Sequence, residues 1–215
     1  MSETALSRGE LVVRTVAQTA VDNETYFCEL DAVAGDGDFG YSLARGFEIV
    51  LSDWQSMEYT DVGGLLKKTA IVLSKRIGGT SGPIWGTAFL RAGGALSNVP
   101  EPTGEQVIAA LRAAIDGIKQ RGNTDLGDKT LLDALVPAVD ELEAGLGEGS
   151  AVALERAAAT ARESAEATKG MLAQRGRAAY TGERSRGSAD AGAVGVAVML
   201  EAISTAWQQA ELELA

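Results

Sequence analysis

Apolar residues recur at the helical period along almost the whole chain. Residues 7–26 carry Val13, Val16, Ala17 and Ala20 at that spacing. From Tyr41 to Met57, the side chains of Leu43, Phe47, Val50, Leu51 and Trp54 fall on one face. A third stripe runs Val62, Leu65, Leu66, Thr69, Ala70, Leu73 and Ile77, and Gly78-Gly-Thr-Ser-Gly-Pro83 breaks it. Residues 83–97 read as a fourth helix with small residues at its packing positions. Thr103 followed by Gln106 is a capping-box pattern that opens a fifth, whose inward face is Val107, Leu111, Ala114, Ile115 and Ile118. A sixth spans 130–146 with Pro137 inside, where a kink is expected. The seventh, 150–172, is alanine-rich, and the eighth, 192–212, aligns Val196, Met199, Leu200, Ile203 and Trp207. No segment alternates in the manner of a strand.

The pattern therefore predicts an all-α chain, with residues 1–215 as a single domain folded as an eight-helix antiparallel up-and-down barrel. In that topology alternate loops share an end. Loops 28–40, 78–83, 122–130 and 173–192 fall together, and these are the glycine-rich and charged ones. The loops at 57–61, 98–104 and 146–150 carry no convergent chemistry. Counting helices thus predicts a site at one end of the barrel.

The first of these loops ends in Asp31-Ala-Val-Ala-Gly-Asp-Gly-Asp-Phe-Gly40. Three carboxylates, Asp31, Asp36 and Asp38, stand among glycines that let the backbone turn sharply. Hard oxygen donors gathered this closely suit Mg²⁺ or Ca²⁺, and Mg²⁺ completes its shell with water and phosphate. The stretch matches G-x-G-x-x-G, but no strand precedes it, so a dinucleotide fold is not supported. Counted as an EF-hand from Asp36, it places Phe47 where the bidentate glutamate belongs. Gly122 to Lys129 falls short of a P-loop because Asp128 separates Gly127 from Lys129. The bland alternative for 31–40 is a solvated acidic turn capping a helix. Thr80 and Ser81 precede a helix, where backbone N–H groups receive phosphate; the alternative is a plain turn. Lys129 and Asp128 read equally as a surface ion pair or capping residues. The segment from Arg175 to Arg186 is a basic loop suited to closing over a nucleotide, or simply exposed.

Composition removes several classes. There is no histidine, which excludes a Ser-His-Asp triad, a Cys-His dyad and histidine-ligated zinc. The single cysteine, Cys28, reads as a packing residue and fits a reducing, cytoplasmic setting. A net charge of −11 disfavours direct nucleic-acid or anionic-membrane contact. The start, Met1-Ser-Glu-Thr-Ala, lacks the regions of a signal peptide, and no apolar run suggests a bilayer span of about 20 residues.

Four motifs in order carry a family resemblance: Asp31-x4-Asp36-Gly-Asp38, Gly-Gly-Thr-Ser-Gly-Pro at 78–83, Gly-Asp-Lys-Thr-Leu-Leu-Asp-Ala-Leu-Val-Pro at 127–137 and Gly-Arg-Ala-Ala-Tyr-x-Gly-Glu-Arg-Ser at 176–185. Together they resemble the nucleotide-binding L subunit of dihydroxyacetone kinase. The resemblance implies an eight-helix barrel holding ADP or ATP at one end through two Mg²⁺ ions on Asp31, Asp36 and Asp38, which are then the catalytic and metal-binding residues. It implies nucleotide contacts from Phe39, Ser42, Gly79, Thr80, Ser81, Gly127, Leu131, Arg177, Asp190 and Gly192. The implied partner is a K-type subunit that holds the ketose on a histidine. Some members use ATP directly; others keep ADP that a phosphotransferase-system M subunit recharges. The chain itself is expected to be a monomer or homodimer before the complex forms. The family pattern has His and Asn where this chain has Phe39 and Ser42, and His and Asp-Pro-Gly where it has Ser188 and Asp190-Ala-Gly192. These departures suggest a paralogue acting on another short ketose such as erythrulose. The rival functions are an ADP-loaded regulatory subunit and a helical scaffold without a ligand.

Overall fold

The computed structural model describes residues 4–214, which are helical with no strand. Helix α1 (Ala5–Asp22) starts at Thr4, whose hydroxyl accepts from the Ser7 amide, and ends at Asn23. Helix α2 (Glu24–Ala32) continues from there. The first predicted helix is thus bent at Asn23 and extends six residues beyond 26, so Asp31 lies on a helix and the loop shortens to 33–38. The bend is locally satisfied: the Asn23 amide and side chain both donate to the Thr19 carbonyl.

Helix α3 (Phe39–Ser52) is followed by a 3₁₀ turn at Trp54–Ser56, and α4 (Val62–Arg76) is capped by Asp61, which accepts from the Gly64 amide at 2.6 Å. After α5 (Ser81–Ala95), α6 (Gly104–Gly122) opens with the predicted Thr103–Gln106 capping box and closes on left-handed Asn123. Helix α7 (Leu132–Ala144) contains Pro137; α8 (Ser150–Ala167) and α9 (Ala191–Leu214) complete the chain. The long loop is partly ordered as a 3₁₀ segment, Arg177–Ser185.

From α3 to α9 each helix packs on the next, and α9 packs on α1, which packs on α3; this closes the ring, with α2 laid against α3. The two sides of the barrel are packed differently. Around α1, α3 and α4 the core uses large side chains, Phe27, Leu43, Phe47, Leu65 and Leu73, all fully buried. Between α7, α8 and α9 it uses alanine: Ala153, Ala157, Ala161 and Ala165 recur one turn apart on α8, and Ala157, Ala161 and Ala165 pack with Ala134, Ala138, Ala193 and Ala197. Small residues let helix axes approach closely. Inside the ring lies an apolar cavity of about 580 Å³, lined by Val12, Phe89, Leu111, Met199 and Leu200 among others. By length and composition α9 resembles a membrane span, but here it is a stave of the barrel packed on α1, α7 and α8.

Candidate functional site

Four connections meet at one end: 33–38, 77–80, 123–131 and 168–190. Their adjacency is visible in specific contacts. Arg177, in the last of them, pairs with Asp36 and Asp38 in the first. A Cβ built on Gly78 would stand 3.5 Å from Ser42 Oγ, so 77–80 lies over the start of α3. One built on Gly122 would stand 3.2 Å from Ile84, joining the ends of α6 and α5. One built on Gly192 would meet Leu131 at 3.2 Å, joining α9 to the loop before α7. The convergence expected from counting helices is present.

The acid cluster is built by backbone constraints. One oxygen from each of Asp31, Asp36 and Asp38 lies within 4.8 Å of the others. Asp31 is the anchor: its Oδ2 accepts from the amides of Gly37 at 2.9 Å and Phe39 at 3.4 Å, which fixes one carboxylate to the turn. Gly37 takes φ +75°, the left-handed region that glycine adopts without strain. Gly40 is required for a different reason. Its ideal Cβ would lie 2.0 Å from the Glu24 carbonyl oxygen and 2.7 Å from the Cys28 nitrogen, so only glycine lets α3 start against α2.

Octahedral Mg²⁺ with oxygens at about 2.1 Å places trans ligands roughly 4.2 Å apart. The three carboxylates are gathered on that scale, and they are hard donors with solvent on one side, so the residues present fit the ion. The guanidinium of Arg177 occupies the same neighbourhood and neutralises part of the charge, donating to Asp38 at 3.1 Å as well as pairing with Asp36.

The remaining predicted residues fall into two groups. Gly79, at φ +61°, and Thr80 lead into α5 with no side-chain cap; Ser81 is its first helical residue. The amides of Ser81 and Gly82 there have no acceptor from a capping side chain, as a phosphate-receiving helix start requires. Gly127, Leu131, Asp190 and Gly192 instead gather between α7 and α9. Gly127, at φ +88°, donates its amide to Asp133, and Leu131 packs on Gly192. Asp190 caps α9, accepting from the Ala193 amide at 2.8 Å while its own amide donates to Thr168 Oγ1 at 2.8 Å. Burial, reinforced by the charge of Asp133, pushes the Asp190 carboxyl up to about 7.

Phe39 turns away from the polar face. Its ring packs on Phe27, with centroids 5.9 Å apart, and against the backbone of α9 at Gly195. Only its amide faces the acid cluster.

Two residues were underweighted in the sequence. Lys129 is neither a surface ion pair nor a cap: it is 3% exposed, sits at φ +62°, and donates to the carbonyls of Met171 at 3.3 Å, Ser188 at 2.8 Å and Ser185. Burial pulls its ammonium pKa down. Asp128 pairs instead with Arg175 at 3.2 Å. Asp133, 4% exposed, accepts from the amides of Gly127 at 2.6 Å and Thr130 at 2.7 Å. A usable signal existed for Lys129. A lysine just before a helix opposes the helix dipole, so it needs acceptors from elsewhere in the fold.

Comparison with known proteins converges on one family. Residues 33–205 match the DAK2 domain. Over 183 residues the chain is 38% identical to the PEP-dependent dihydroxyacetone kinase, ADP-binding subunit DhaL, of Escherichia coli, covering 84% of this chain and 87% of that subunit. It is 36% identical over 197 residues to the L-erythrulose 1-kinase of Mycolicibacterium smegmatis, covering 89% of this chain but 34% of that larger protein. The dihydroxyacetone kinase of C. freundii, solved in complex with AMP-PNP and Mg²⁺, superposes with a TM-score of 0.74 at 29% identity, over 95% of this chain and 34% of that one.

Proposed function

The chain belongs to the DAK2 domain family as a DhaL-type subunit, and on that premise we propose that it binds ADP or ATP with Mg²⁺ and passes a phosphoryl group to a short ketose held on a separate K-type subunit. The observation that carries the reading is the acid cluster: three carboxylates within 4.8 Å, beside an uncapped helix start and under an arginine. Phosphoryl transfer asks little covalent chemistry of a protein. It asks for positioning and for neutralisation of charge on the phosphate oxygens.

Each part has a role here. Asp31, held by two amides, orients the cluster, and Asp36 and Asp38 complete the oxygen set that would hold Mg²⁺. Bound Mg²⁺ supplies neutralisation across neighbouring phosphates. Amides at the start of α5 receive phosphate oxygens beside Thr80 and Ser81. Arg177, which pairs with Asp36 and Asp38, is placed where its charge would also neutralise phosphate oxygens. Gly127, Leu131, Asp190 and Gly192 form the wall on the α7–α9 side. The proposal has two ions, with phosphate oxygens and water filling the positions that the aspartates leave.

For the acceptor, both dihydroxyacetone and erythrulose kinases are among the relatives, and either ketose suits the reading. The donor is ATP or an M-type phosphotransferase partner. Titration calorimetry of Asp36→Asn with ADP and Mg²⁺ tests the site. Loss of roughly 100-fold in affinity is expected from removing one ligand charge, and undiminished binding overturns the metal role.

One observation favours a second reading. Phe39 offers no polar side chain to the phosphates, since its ring lies on Phe27. A slow, ADP-loaded regulatory subunit accords with that. Mixing the protein with a K-type subunit and either ATP or an M-type donor separates the two: ketose phosphorylation supports the kinase, and stable ADP retention without turnover supports the regulator.

A further inference from the structure

We propose that Lys129 is a positioning residue that seats Arg177 over the aspartate cluster, acting from beneath the loop without touching the ligand. This rests on the reading of the cluster as a nucleotide site. The carbonyls that Lys129 holds lie on both sides of Arg177 in sequence: Met171 on the way into the loop, Ser185 and Ser188 on the way out. One ammonium therefore ties the two strands of the loop at its neck. An ammonium has three donors and no acceptor, which matches three converging carbonyls. Placing it among carbonyls with 3% exposure is an unfavourable use of a charge unless the geometry it fixes is needed.

The neck has further ties that depend on the same closure. Ser185, fully buried, accepts from the Ala173 amide at 3.1 Å and donates to the Gly182 carbonyl at 2.8 Å. The Gln174 amide donates to the Asp128 carbonyl at 3.0 Å, one residue before Lys129. Arg177 follows three residues later and reaches Asp36 and Asp38. Among the described residues, the hydrogen bonds and ion pairs of its side chain go to these two aspartates. If the neck opens, the segment leading to Arg177 loses its anchor while the acid cluster, on α2 and the 33–38 connection, keeps its own support from the Gly37 and Phe39 amides.

Two readouts on the full chain test this. The first needs no nucleotide: trypsin cleavage after Arg177 is compared with cleavage after Lys68, exposed on the half of α4 nearer the opposite end of the barrel. In Lys129→Met, cleavage after Arg177 is expected to rise by about tenfold while cleavage after Lys68 holds, as a local opening requires. A parallel rise at both sites marks general loosening and overturns the proposal. The second is a double-mutant cycle on Mg²⁺–ADP affinity with Arg177→Met. Lys129→Met alone is expected to weaken binding about 10- to 100-fold, as for residues that orient ligand-binding groups, and to add little in the Arg177→Met background. Additive losses, or unchanged affinity with a lowered melting temperature, assign Lys129 to stability alone. If the unmodified chain binds no nucleotide, the site reading fails, and the cleavage comparison still decides whether Lys129 seats Arg177. Should Lys129→Met not fold, Lys129→Gln, which keeps an amide donor, is judged by the same two readouts.

Discussion

At one end of the barrel stand two polar clusters made in opposite ways. Asp31, Asp36 and Asp38 point like charges at one another with solvent on one side, and the cation that pairs with two of them, Arg177, is itself half exposed. Across the same end, Lys129 and Asp133 are buried and spend their hydrogen bonds on backbone: three carbonyls for the lysine, two amides for the aspartate. The first cluster is incomplete by charge and can be completed from outside. The second is complete within the chain. A polar cluster satisfied by its own backbone belongs to the architecture, and one left with unbalanced charge at an open end belongs to a ligand. Perturbing the first should therefore read out in binding alone, and perturbing the second in stability, with binding following only through the seat that Lys129 gives Arg177.

The sharpest break is at Gly40, which supports the acid cluster without belonging to it. Ala at this position puts a methyl group 2.0 Å from the Glu24 carbonyl oxygen, and the obstacle is backbone, which cannot rotate away. We expect roughly 3–5 kcal/mol of lost stability, read from denaturant midpoints, because α2 and α3 must separate. Next comes Asp133→Ala. It leaves the amides of Gly127 and Thr130 without acceptors in a buried site, and about 2–3 kcal/mol of destabilisation follows. Asp36→Asn is the counterpart on the exposed side: its stability without Mg²⁺ should stay within about 0.5 kcal/mol of the parent, although nucleotide affinity collapses. If Asp133→Ala proved neutral and Asp36→Asn destabilising, the division between the two clusters would be lost.

Much of this was legible in the sequence, for identifiable reasons. The helices are amphipathic with punctuated ends, so periodicity located them, and the Thr103–Gln106 box was found where the pattern put it. Up-and-down connection then fixed which loops share an end. The aspartates were legible because three carboxylates among glycines have few structural uses. What escaped was whatever depends on burial. The bend at Asn23 interrupts no hydrophobic stripe, so periodicity predicts one helix where two stand and a loop at Asp31. Phe39 follows an aspartate and precedes a glycine, as a ligand residue would; its inward turn depends on Phe27 and Gly195, distant in sequence. Lys129 and Asp133 looked like surface charges because their partners are backbone groups, which no residue pattern displays.

A smaller effect than the loss of Gly40 or Asp133 uses Asp190, which stands beside both members of the buried cluster: burial dominates the rise in its pKa, Asp133 adds to it and Lys129 opposes it. The folded protein favours the neutral carboxyl, with a pKa of about 7 against an ordinary value of 3.8. A carboxyl whose folded pKa is raised binds more protons in the native state than in the unfolded one over the interval between those values, so stability falls with rising pH there. Its contribution is complete below about pH 4 and drains away as pH passes through about 7. The ceiling for such a difference is about 4 kcal/mol, and residual solvent contact brings the expected loss to roughly 1–2 kcal/mol. Asparagine retains a capping oxygen for the Ala193 amide without the ionisation. Asp190→Asn should therefore match the parent near pH 4 and exceed it at pH 8, with the gap opening between. Melting curves across that range, without nucleotide, measure it. In Asp133→Asn the same gap should narrow, because removing the neighbouring charge lets Asp190 ionise more readily. A gap unmoved by Asp133→Asn would mean that burial alone holds Asp190 neutral, and that the two aspartates behave as separate groups.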